Sequence, residues 1–179
     1  MLEEVVIAGF GGQGLMLMGR LLAYAGMLED RKVAWMPSYG PEMRGGTANC
    51  TVIISSGEIA SPVVTNPKTV IVMNKPSLDK FESMVQKDGL IVINKSLIDQ
   101  EVKRDDIKVL KVSANDIANK LGNLRVANMV TLGAYVKKSG VVKLESIFKA
   151  LEKALAGKNQ KILELNKIAL KKGEDIAKE

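Results

Sequence analysis

Six short apolar runs constrain the fold of this chain more than any other feature of its sequence. They cover residues 5–8, 33–36, 50–54, 69–73, 90–93 and 107–112. Most of them are continuous rather than alternating, which is typical of strands buried on both faces. Helical patterns separate several of these runs, at residues 15–28, 76–86, 114–121 and 126–138. The alternation predicts an α/β domain with a largely parallel sheet.

The expected architecture is a three-layer, Rossmann-like domain whose sheet is flanked by helices. One connection departs from that pattern, because about ten residues rich in glycine and proline join the runs at 33–36 and 47–54. A segment of that composition does not form a crossover helix, so we expect the two strands to be arched or antiparallel and the sheet to be mixed. Two further helices follow, a stripe at 144–155 and another at 162–176. We therefore predict a single domain over residues 1–179, with a C-terminal helical extension from about 143 to 179.

The composition removes many classes of active site. The chain has no histidine and one cysteine, Cys50. It therefore offers no Ser–His–Asp triad, no Cys–His pair and no cysteine-ligated metal centre. We predict neither a catalytic residue nor a metal site, and we expect Cys50 to be a small core residue. The lack of disulfides favours a reducing compartment, the cytoplasm. With no apolar run of 18–20 residues and an acidic start, we expect neither a membrane span nor a signal peptide.

The positive charge lies in the second half of the chain. Of 26 Lys and Arg and 20 Asp and Glu, residues 1–100 hold 9 and 10, so residues 101–179 hold 17 and 10. A lysine-rich face can attract nucleic acid. Aromatic residues for base stacking make up only 4% of the chain, however. Solvated lysine faces on surface helices are the simpler interpretation, and we expect no nucleic-acid partner.

The first glycine-rich segment follows a buried strand and opens a helix. Gly9, Gly11 and Gly14 have the G-x-G-x-x-G spacing, with Gly12 and Gln13 between them. Glycines allow a tight turn, and the N–H groups of the helix terminus then face an anion. A dinucleotide site also needs a carboxylate at the end of the second strand, and that strand ends without one. The alternative is that the glycines only let the helix pack closely on the sheet.

The second glycine-rich segment lies between two strands. It reads SYGPEMRGGTANC over residues 38–50, and its candidate binding residues are Ser38, Tyr39, Gly40, Arg44, Gly45 and Gly46. An arginine beside two glycines has the groups to hold a phosphate or carboxylate. An ion pair between Glu42 and Arg44 that only stiffens the loop is an equal alternative.

Together these segments resemble the gamma subunit of 2-oxoacid:ferredoxin oxidoreductases. The resemblance lies in VVIAGFGGQGLMLMGRLLAYAGM (5–27), SYGPEMRGGTANCTVIIS (38–55), SPVVTNPKTVIVMNKPSLDKF (61–81) and RVANMVTLGAYVK (125–137). The second of these blocks is the most specific. Its sequence SYGPEMRGGTANC and the compact form of the chain are most similar to the 2-oxoglutarate type. The pyruvate, branched-chain and indolepyruvate enzymes share this module.

The resemblance implies a non-catalytic subunit of a larger enzyme. That enzyme decarboxylates a 2-oxoacid oxidatively to acyl-CoA and CO2 and reduces ferredoxin, using thiamine diphosphate, Mg, iron–sulfur clusters and coenzyme A. The resemblance places the thiamine diphosphate and the clusters outside this chain. Alpha and beta subunits, with a delta subunit in some complexes, are the implied partners. What it leaves to this chain is scaffolding and coenzyme A-side contacts at residues 9–14 and 38–46, with the isolated chain inactive and able to form a homodimer.

A second hypothesis rests on the glycine fingerprint alone. It describes a stand-alone, Rossmann-like oxidoreductase that binds NAD(P) or flavin without partner subunits. The missing ribose carboxylate and the absence of histidine count against it.

Overall fold

The strand at the centre of the sheet comes first in the chain. In the computed structural model, which describes residues 1–38, 47–157 and 159–178, this strand is β1 (Leu2–Phe10). The other five strands are β2 (Lys32–Ser38), β3 (Thr47–Ser55), β4 (Thr69–Val72), β5 (Leu90–Asn94) and β6 (Lys108–Val112). The strand order is β2-β3-β1-β4-β5-β6. All six predicted runs are therefore strands.

The sheet is mixed, as the short glycine- and proline-rich connection predicts. Strand β3 runs antiparallel to both β1 and β2, with Phe10 opposite Thr47 and Ser38 opposite Asn49. Strands β4, β5 and β6 follow on the other side of β1, and each pair there is parallel. The antiparallel strand thus lies between the first two strands of the chain.

In the residues that the structure describes, six helices accompany the sheet. They are α1 (Leu15–Leu28), α2 (Lys75–Phe81), α3 (Ala114–Lys120), α4 (Ala127–Ser139), α5 (Leu144–Ala154) and α6 (Gln160–Ile176). Short 3-10 turns occupy Glu82–Met84 and Leu124–Val126. The helix predicted over 76–86 therefore ends earlier than its pattern indicates, and its last turn is a 3-10 turn.

The helices are distributed unevenly over the two faces of the sheet. Val5 and Ile7 of β1 pack into the cluster that contains the buried residues of α1, α3, α4, α5 and α6. Val6 and Ala8 point the other way and pack with Leu78 of α2. Because successive side chains of a strand point to opposite faces, β1 is buried from both sides, which explains its continuous apolar run.

A polar contact ties the start of β1 to β4 and α4. The buried carboxylate of Glu3 accepts hydrogen bonds from Thr69 Oγ1 at 2.7 Å and from the Tyr135 hydroxyl at 3.3 Å, and its other oxygen lies 3.0 Å from Lys68 Nζ. Tyr135 is fully buried, and burial together with the Glu3 carboxylate raises its pKa well above its ordinary value. Every partner of this carboxylate is a donor, so the charge is compensated where it is buried.

The C-terminal helix α6 rests on α4 through two glycines. A Cβ atom on Gly133 would lie 2.0 Å from the Leu170 carbonyl oxygen, and one on Gly173 would overlap the Val130 carbonyl oxygen. Such distances leave no room for a methyl group, so the two backbones approach each other directly. The extension predicted for the C-terminal part of the chain is therefore packed on the same layer as α1 and α4.

Cys50 lies in the core, as its place in an apolar run predicts. Its side chain is fully buried against α1, where a Cβ on Gly19 would come within 2.6 Å of the sulfur. Burial raises the pKa of the thiol to about 11, although the neighbouring Trp35 indole and the Gly19 backbone act in the opposite direction. The thiol is thus protonated and sheltered at neutral pH.

No helix in the described part of the chain is both long enough and apolar enough to span a membrane.

We predict that Gly173→Ala lowers the free energy of unfolding by about 1–3 kcal/mol in urea titrations, because the methyl group meets the α4 backbone. A loss of stability would itself indicate the close contact, since alanine is otherwise preferred to glycine in a helix by about 1 kcal/mol. Gly57→Ala is the control, because open space surrounds the Cβ position of Gly57. A Gly173→Ala variant as stable as the parent would contradict the close contact.

We also predict that iodoacetamide modifies Cys50 slowly in the folded chain at pH 8. The pKa rises from 9.0 to about 11, which lowers the thiolate fraction by about 100-fold before any loss of access is counted. Mass spectrometry of alkylation with and without urea measures the difference. Equal rates in the two conditions would show that the thiol is not in the core.

Candidate functional site

The carboxyl ends of β1 and β4 form a crevice at the edge of the sheet. The two strands are neighbours and parallel, yet the chain leaves β1 into α1 on one face and leaves β4 into α2 on the other. Ligands of open α/β sheets bind where neighbouring strands connect to opposite faces, outside their carboxyl ends. The candidate site is therefore formed by the turn after β1 and the residues after β4.

The turn after β1 depends on glycine for its backbone shape. Gly12 has φ of 93° and Gly14 has φ of 76°. Gly14 is also the residue that precedes the first turn of α1, and no side chain caps that end of the helix. Both φ values fall in the left-handed region that side chains disfavour. Open space surrounds the Cβ position of Gly12, so at that point the backbone is accessible to a ligand.

Gln13 bridges the turn to the neighbouring strand. Its Oε1 accepts the backbone N–H of Phe10 at 2.7 Å, and its Nε2 donates to the carbonyl oxygen of Met73 at 3.1 Å. A Cβ on Gly9 would lie 2.4 Å from the same Oε1. Glycine at position 9 thus makes space for the Gln13 amide. The Gln13 side chain thus already accepts the hydrogen bond of the Phe10 N–H, which is then not available to a phosphate in the turn.

Asn128 holds the turn from the side of α4. This residue is 4% exposed, and its Nδ2 donates to the Gly14 carbonyl oxygen at 3.3 Å. Its Oδ1 accepts the N–H of Met129 at 2.9 Å. A Cβ on Gly14 would lie 2.2 Å from the Asn128 amide nitrogen. Packing and turn geometry therefore both require glycine at position 14, which supports the close-packing interpretation for that residue.

Two more asparagines lie at this edge of the sheet: Asn74 follows β4, and Asn94 is the last residue of β5. Asn74 caps α2, because its Oδ1 accepts the N–H of Ser77 at 2.9 Å. Asn94 donates from Nδ2 to Oδ1 of Asn115, 2.7 Å away. Asn74 Nδ2, Ser77 Oγ and Asn94 Oδ1 are buried without a hydrogen-bond partner in the described part of the chain. Buried polar atoms usually have partners, so these three atoms favour a polar ligand or ordered water at this edge.

A cavity of about 170 Å³ opens between the glycine turn and the start of α4. It is lined by Gly12, Gln13, Met73, Asn115, Leu124, Arg125, Ala127 and Asn128. Its polar groups are three amides and one guanidinium, and none of these described lining residues carries a carboxylate. The volume suits a phosphate or carboxylate group and is below the 300–1,000 Å³ usual for a whole small molecule.

The predicted site residues divide into two groups. The turn residues Gly9, Gly11, Gly12, Gln13 and Gly14 lie at or after the carboxyl end of β1, and two of them, Gly12 and Gln13, line the cavity. Ser38 ends the outer strand β2 and is exposed. Tyr39, Gly40, Arg44, Gly45 and Gly46 lie outside the described residues, as does the predicted pair of Glu42 and Arg44. Since Thr47 pairs with Phe10, the chain enters β3 at the same edge of the sheet as the glycine turn.

Sequence reasoning missed three residues of the cavity: Asn115, Arg125 and Asn128. They follow β6 and lie more than 100 residues after the glycine turn, so no local spacing connects them with it. The sequence feature that points to them is their polarity. They are polar residues near the starts of α3 and α4, the two helices that follow the last parallel strand.

The topology disfavours the dinucleotide interpretation of the glycine turn. In that kind of site the second strand lies beside the first, and its carboxyl end holds the ribose. Here β3 separates β2 from β1, and β2 ends in Ser38 rather than in an acidic residue. The amide of Gln13 also partly fills the turn. The described residues thus support a site for a single anionic group better than one for a dinucleotide.

Among residues 1–38, 47–157 and 159–178, no three His, Cys, Asp or Glu side chains are grouped so that they could hold a metal ion.

Comparison with known proteins gives a consistent family. The family model described as pyruvate ferredoxin/flavodoxin oxidoreductase matches residues 4–176. The ketoisovalerate oxidoreductase subunit VorA of Methanothermobacter marburgensis is 38% identical over 98% of this chain. The chain spans only 36% of the length of that relative. The 2-oxoglutarate synthase subunit KorC of Methanocaldococcus jannaschii is 34% identical, and the match covers 100% of this chain and 96% of KorC.

A solved structure has the same fold from end to end. The gamma subunit of a keto/oxoacid ferredoxin oxidoreductase from Geobacter sulfurreducens superposes with a TM-score of 0.84 at 29% identity. The superposition covers 98% of each chain. The mixed sheet and the C-terminal helices therefore belong to a fold already seen in a protein of this kind.

We predict that Gln13→Ala opens the turn after β1. Losing both side-chain hydrogen bonds lowers the free energy of unfolding by about 1–3 kcal/mol, and the Phe10 amide loses its protection from hydrogen exchange. NMR-detected exchange measures that amide directly, and Gln100→Ala, which removes only an exposed hydrogen bond to Asp79, is the control. Unchanged protection at Phe10 would contradict the bridging role of Gln13.

Proposed function

Because this chain belongs to the pyruvate ferredoxin/flavodoxin oxidoreductase family, we propose that it is the gamma-type subunit of a 2-oxoacid:ferredoxin oxidoreductase. The assembled enzyme would decarboxylate a 2-oxoacid oxidatively, transfer the acyl group to coenzyme A and pass two electrons to ferredoxin. The end-to-end likeness to a gamma subunit supports a separate subunit of this kind. We expect the complex to work in the cytoplasm, where ferredoxin and a free thiol such as Cys50 stay reduced.

The role that we assign to this chain is non-catalytic. General acid–base catalysis needs a side chain that titrates near neutral pH and reaches the reacting atoms. The crevice of this chain offers amides, one guanidinium and backbone N–H groups instead. Such groups bind and orient an anion and do not exchange protons near pH 7. One observation carries the proposal. The described residues that line the crevice beside the ends of β1 and β4 include one cationic side chain and no carboxylate.

The ligand that we propose for the crevice is a phosphate group on the coenzyme A side of the active site. Arg125 would contribute the charge, and the backbone around Gly12 together with the amide of Asn115 would contribute neutral hydrogen bonds. The segment 39–46 would add Arg44, since both ends of that segment lie at this edge of the sheet. Its predicted contacts at Tyr39, Gly40, Gly45 and Gly46 remain part of the same proposal.

Thiamine diphosphate, Mg and the iron–sulfur clusters belong, in this proposal, to other subunits. The described residues do not fit these groups, because they contain no cluster of metal-ligating side chains, and a chain with one cysteine and no histidine lacks the usual ligands for them. We therefore assign no step of the reaction that passes through these cofactors to residues of this chain. Alpha and beta subunits, with a delta subunit in some complexes, would hold them and dock ferredoxin.

The favoured substrate is 2-oxoglutarate. The support is that KorC, named as a 2-oxoglutarate synthase subunit, matches this chain over nearly the whole of both. A branched-chain 2-oxoacid is the second candidate, because the ketoisovalerate subunit is slightly more identical in sequence. The substrate would bind on partner subunits, so the two candidates share the same role for this chain.

Anaerobic purification of the tagged chain from its native cell tests the subunit proposal. Intact-complex mass spectrometry should find it in fixed ratio with subunits that carry thiamine diphosphate and clusters. The purified complex should reduce a viologen dye with coenzyme A and 2-oxoglutarate, and 2-oxoisovalerate and pyruvate serve as the comparison substrates. The chain alone should show no turnover and run as a homodimer or monomer. Turnover by the chain alone, or its isolation with a bound nucleotide and no partner, would overturn the proposal.

We predict that Arg125→Gln in the reconstituted complex raises the KM for coenzyme A about tenfold, the equivalent of about 1.4 kcal/mol. The kcat should change by less than about twofold, because the lost contact is made equally in the ground state and the transition state. The matched control is Lys120→Gln, an exposed cation on α3 that does not line the cavity. An unchanged KM would show that coenzyme A does not bind in the crevice. It would not contradict the assignment of the chain as a subunit.

A further inference from the structure

A second, larger cavity lies between α1, α5 and the outer strand β2. Its volume is about 460 Å³, within the range of small-molecule sites. It is lined by side chains of α1, α5 and β2, among them Arg20, Tyr24, Trp35 and Lys153. None of these residues lines the crevice at the carboxyl edge of the sheet, and the proposed function does not use any of them.

Small residues on the two helices leave the space open. Ala23 of α1 and Ala150 of α5 are both buried where the helices meet, and Ala154 lies one turn further along α5. Larger side chains at these positions would close the gap between α1 and α5. The floor of the cavity is instead formed by aromatic and aliphatic groups, among them Trp35 and Val33 of β2.

Trp35 is fixed in place at this floor. A Cβ on Gly19 would lie 2.8 Å from its indole nitrogen and 2.6 Å from the Cys50 sulfur, so the pyrrole side of the ring is packed into the core. The residue as a whole is only half-buried. A preorganised aromatic surface is therefore available in the cavity without a conformational change.

The charged groups of the cavity are both cationic. Lys153 Nζ donates to the Tyr24 hydroxyl at 2.7 Å and lies 4.4 Å from the centre of the Tyr24 ring, which fixes the ammonium group at the rim. Arg20 is exposed at the same cavity and forms no ion pair with any residue that the structure describes. No described lining residue is acidic. An apolar cavity with two cations and no anion is matched to an apolar ligand that carries a negative charge.

We infer that this cavity binds a small aromatic anion, with its ring against Trp35 and its carboxylate or phosphate between Arg20 and Lys153. The aromatic class follows from the two aromatic side chains and from the guanidinium, which stacks on planar groups. This inference is independent of the crevice and of the family, so it can fail while the proposed function holds.

The test uses the purified chain and the dye 1-anilinonaphthalene-8-sulfonate, an aromatic sulfonate. Trp35 is the only tryptophan in the chain, so energy transfer from tryptophan to the dye reports binding in its part of the molecule, and the cavity variants below locate the site. The neutral dye N-phenyl-1-naphthylamine tests whether charge matters. Competition by 2-naphthoate, 1-naphthyl phosphate and decanoate then separates aromatic carboxylates, aromatic phosphates and aliphatic acids.

We expect the sulfonate dye to quench Trp35 saturably and to bind about tenfold more tightly than the neutral dye. Arg20→Gln and Lys153→Gln should each weaken its binding roughly five- to tenfold, less than a buried charge-assisted hydrogen bond contributes, because both cations are exposed to water. Ala154→Leu should abolish binding by filling the cavity while both charges remain. Lys149→Gln, an exposed lysine of α5 that does not line the cavity, is the control and should bind normally. Melting temperatures check that each variant is folded.

Three results would overturn the inference. The first is dye fluorescence without energy transfer from Trp35, which would place the dye elsewhere. The second is equal affinity for the charged and the neutral dye, or unchanged binding in both charge variants. The third is that a competitor of another class displaces the dye and the naphthyl acids do not. Displacement by decanoate would make the cavity a lipid site, and displacement by partner subunits would make it a protein-docking surface.

Discussion

The burial of β1 on both faces is the constraint on which the rest of this structure depends. Its side chains alternate between the cluster with α1 and α4 and the cluster with α2, and its edges pair with β3 and β4. The connection from β1 runs to β2 on one side of it, and the connection from β4 runs to β5 in the other direction. Because crossovers between parallel strands are right-handed, the chain leaves β1 and β4 toward opposite faces. The crevice at their carboxyl ends is therefore a consequence of how the central strand is covered.

The chemistry of that crevice follows from what the surrounding segments can supply. Backbone groups of the turn, side-chain amides and Arg125 come together there, and none of the described lining residues is acidic. An assembly of this kind holds an anion and leaves bond breaking to other groups. This agrees with the proposed function, in which the chain positions part of a cofactor beside a catalytic centre on another subunit.

Local sequence patterns were informative where a single element decides the outcome. Continuous apolar runs predicted every strand, and the glycine- and proline-rich connection predicted the antiparallel pair of β2 and β3. The G-x-G-x-x-G spacing located the turn, yet it did not distinguish an anion cradle from a packing device. In the structure Gly9 and Gly14 face Gln13 and Asn128, which supports close packing, whereas open space surrounds the Cβ position of Gly12.

By itself, the sequence determined the element types, the aliphatic core and the family. Each of these depends on residue types or on spacings within one segment. Only the tertiary structure decided that Asn115, Arg125 and Asn128 meet the glycine turn, and that Arg20, Trp35 and Lys153 share a cavity. The physical reason is that these groups come from separate elements. Their meeting depends on strand order and on helix packing, which no local pattern records.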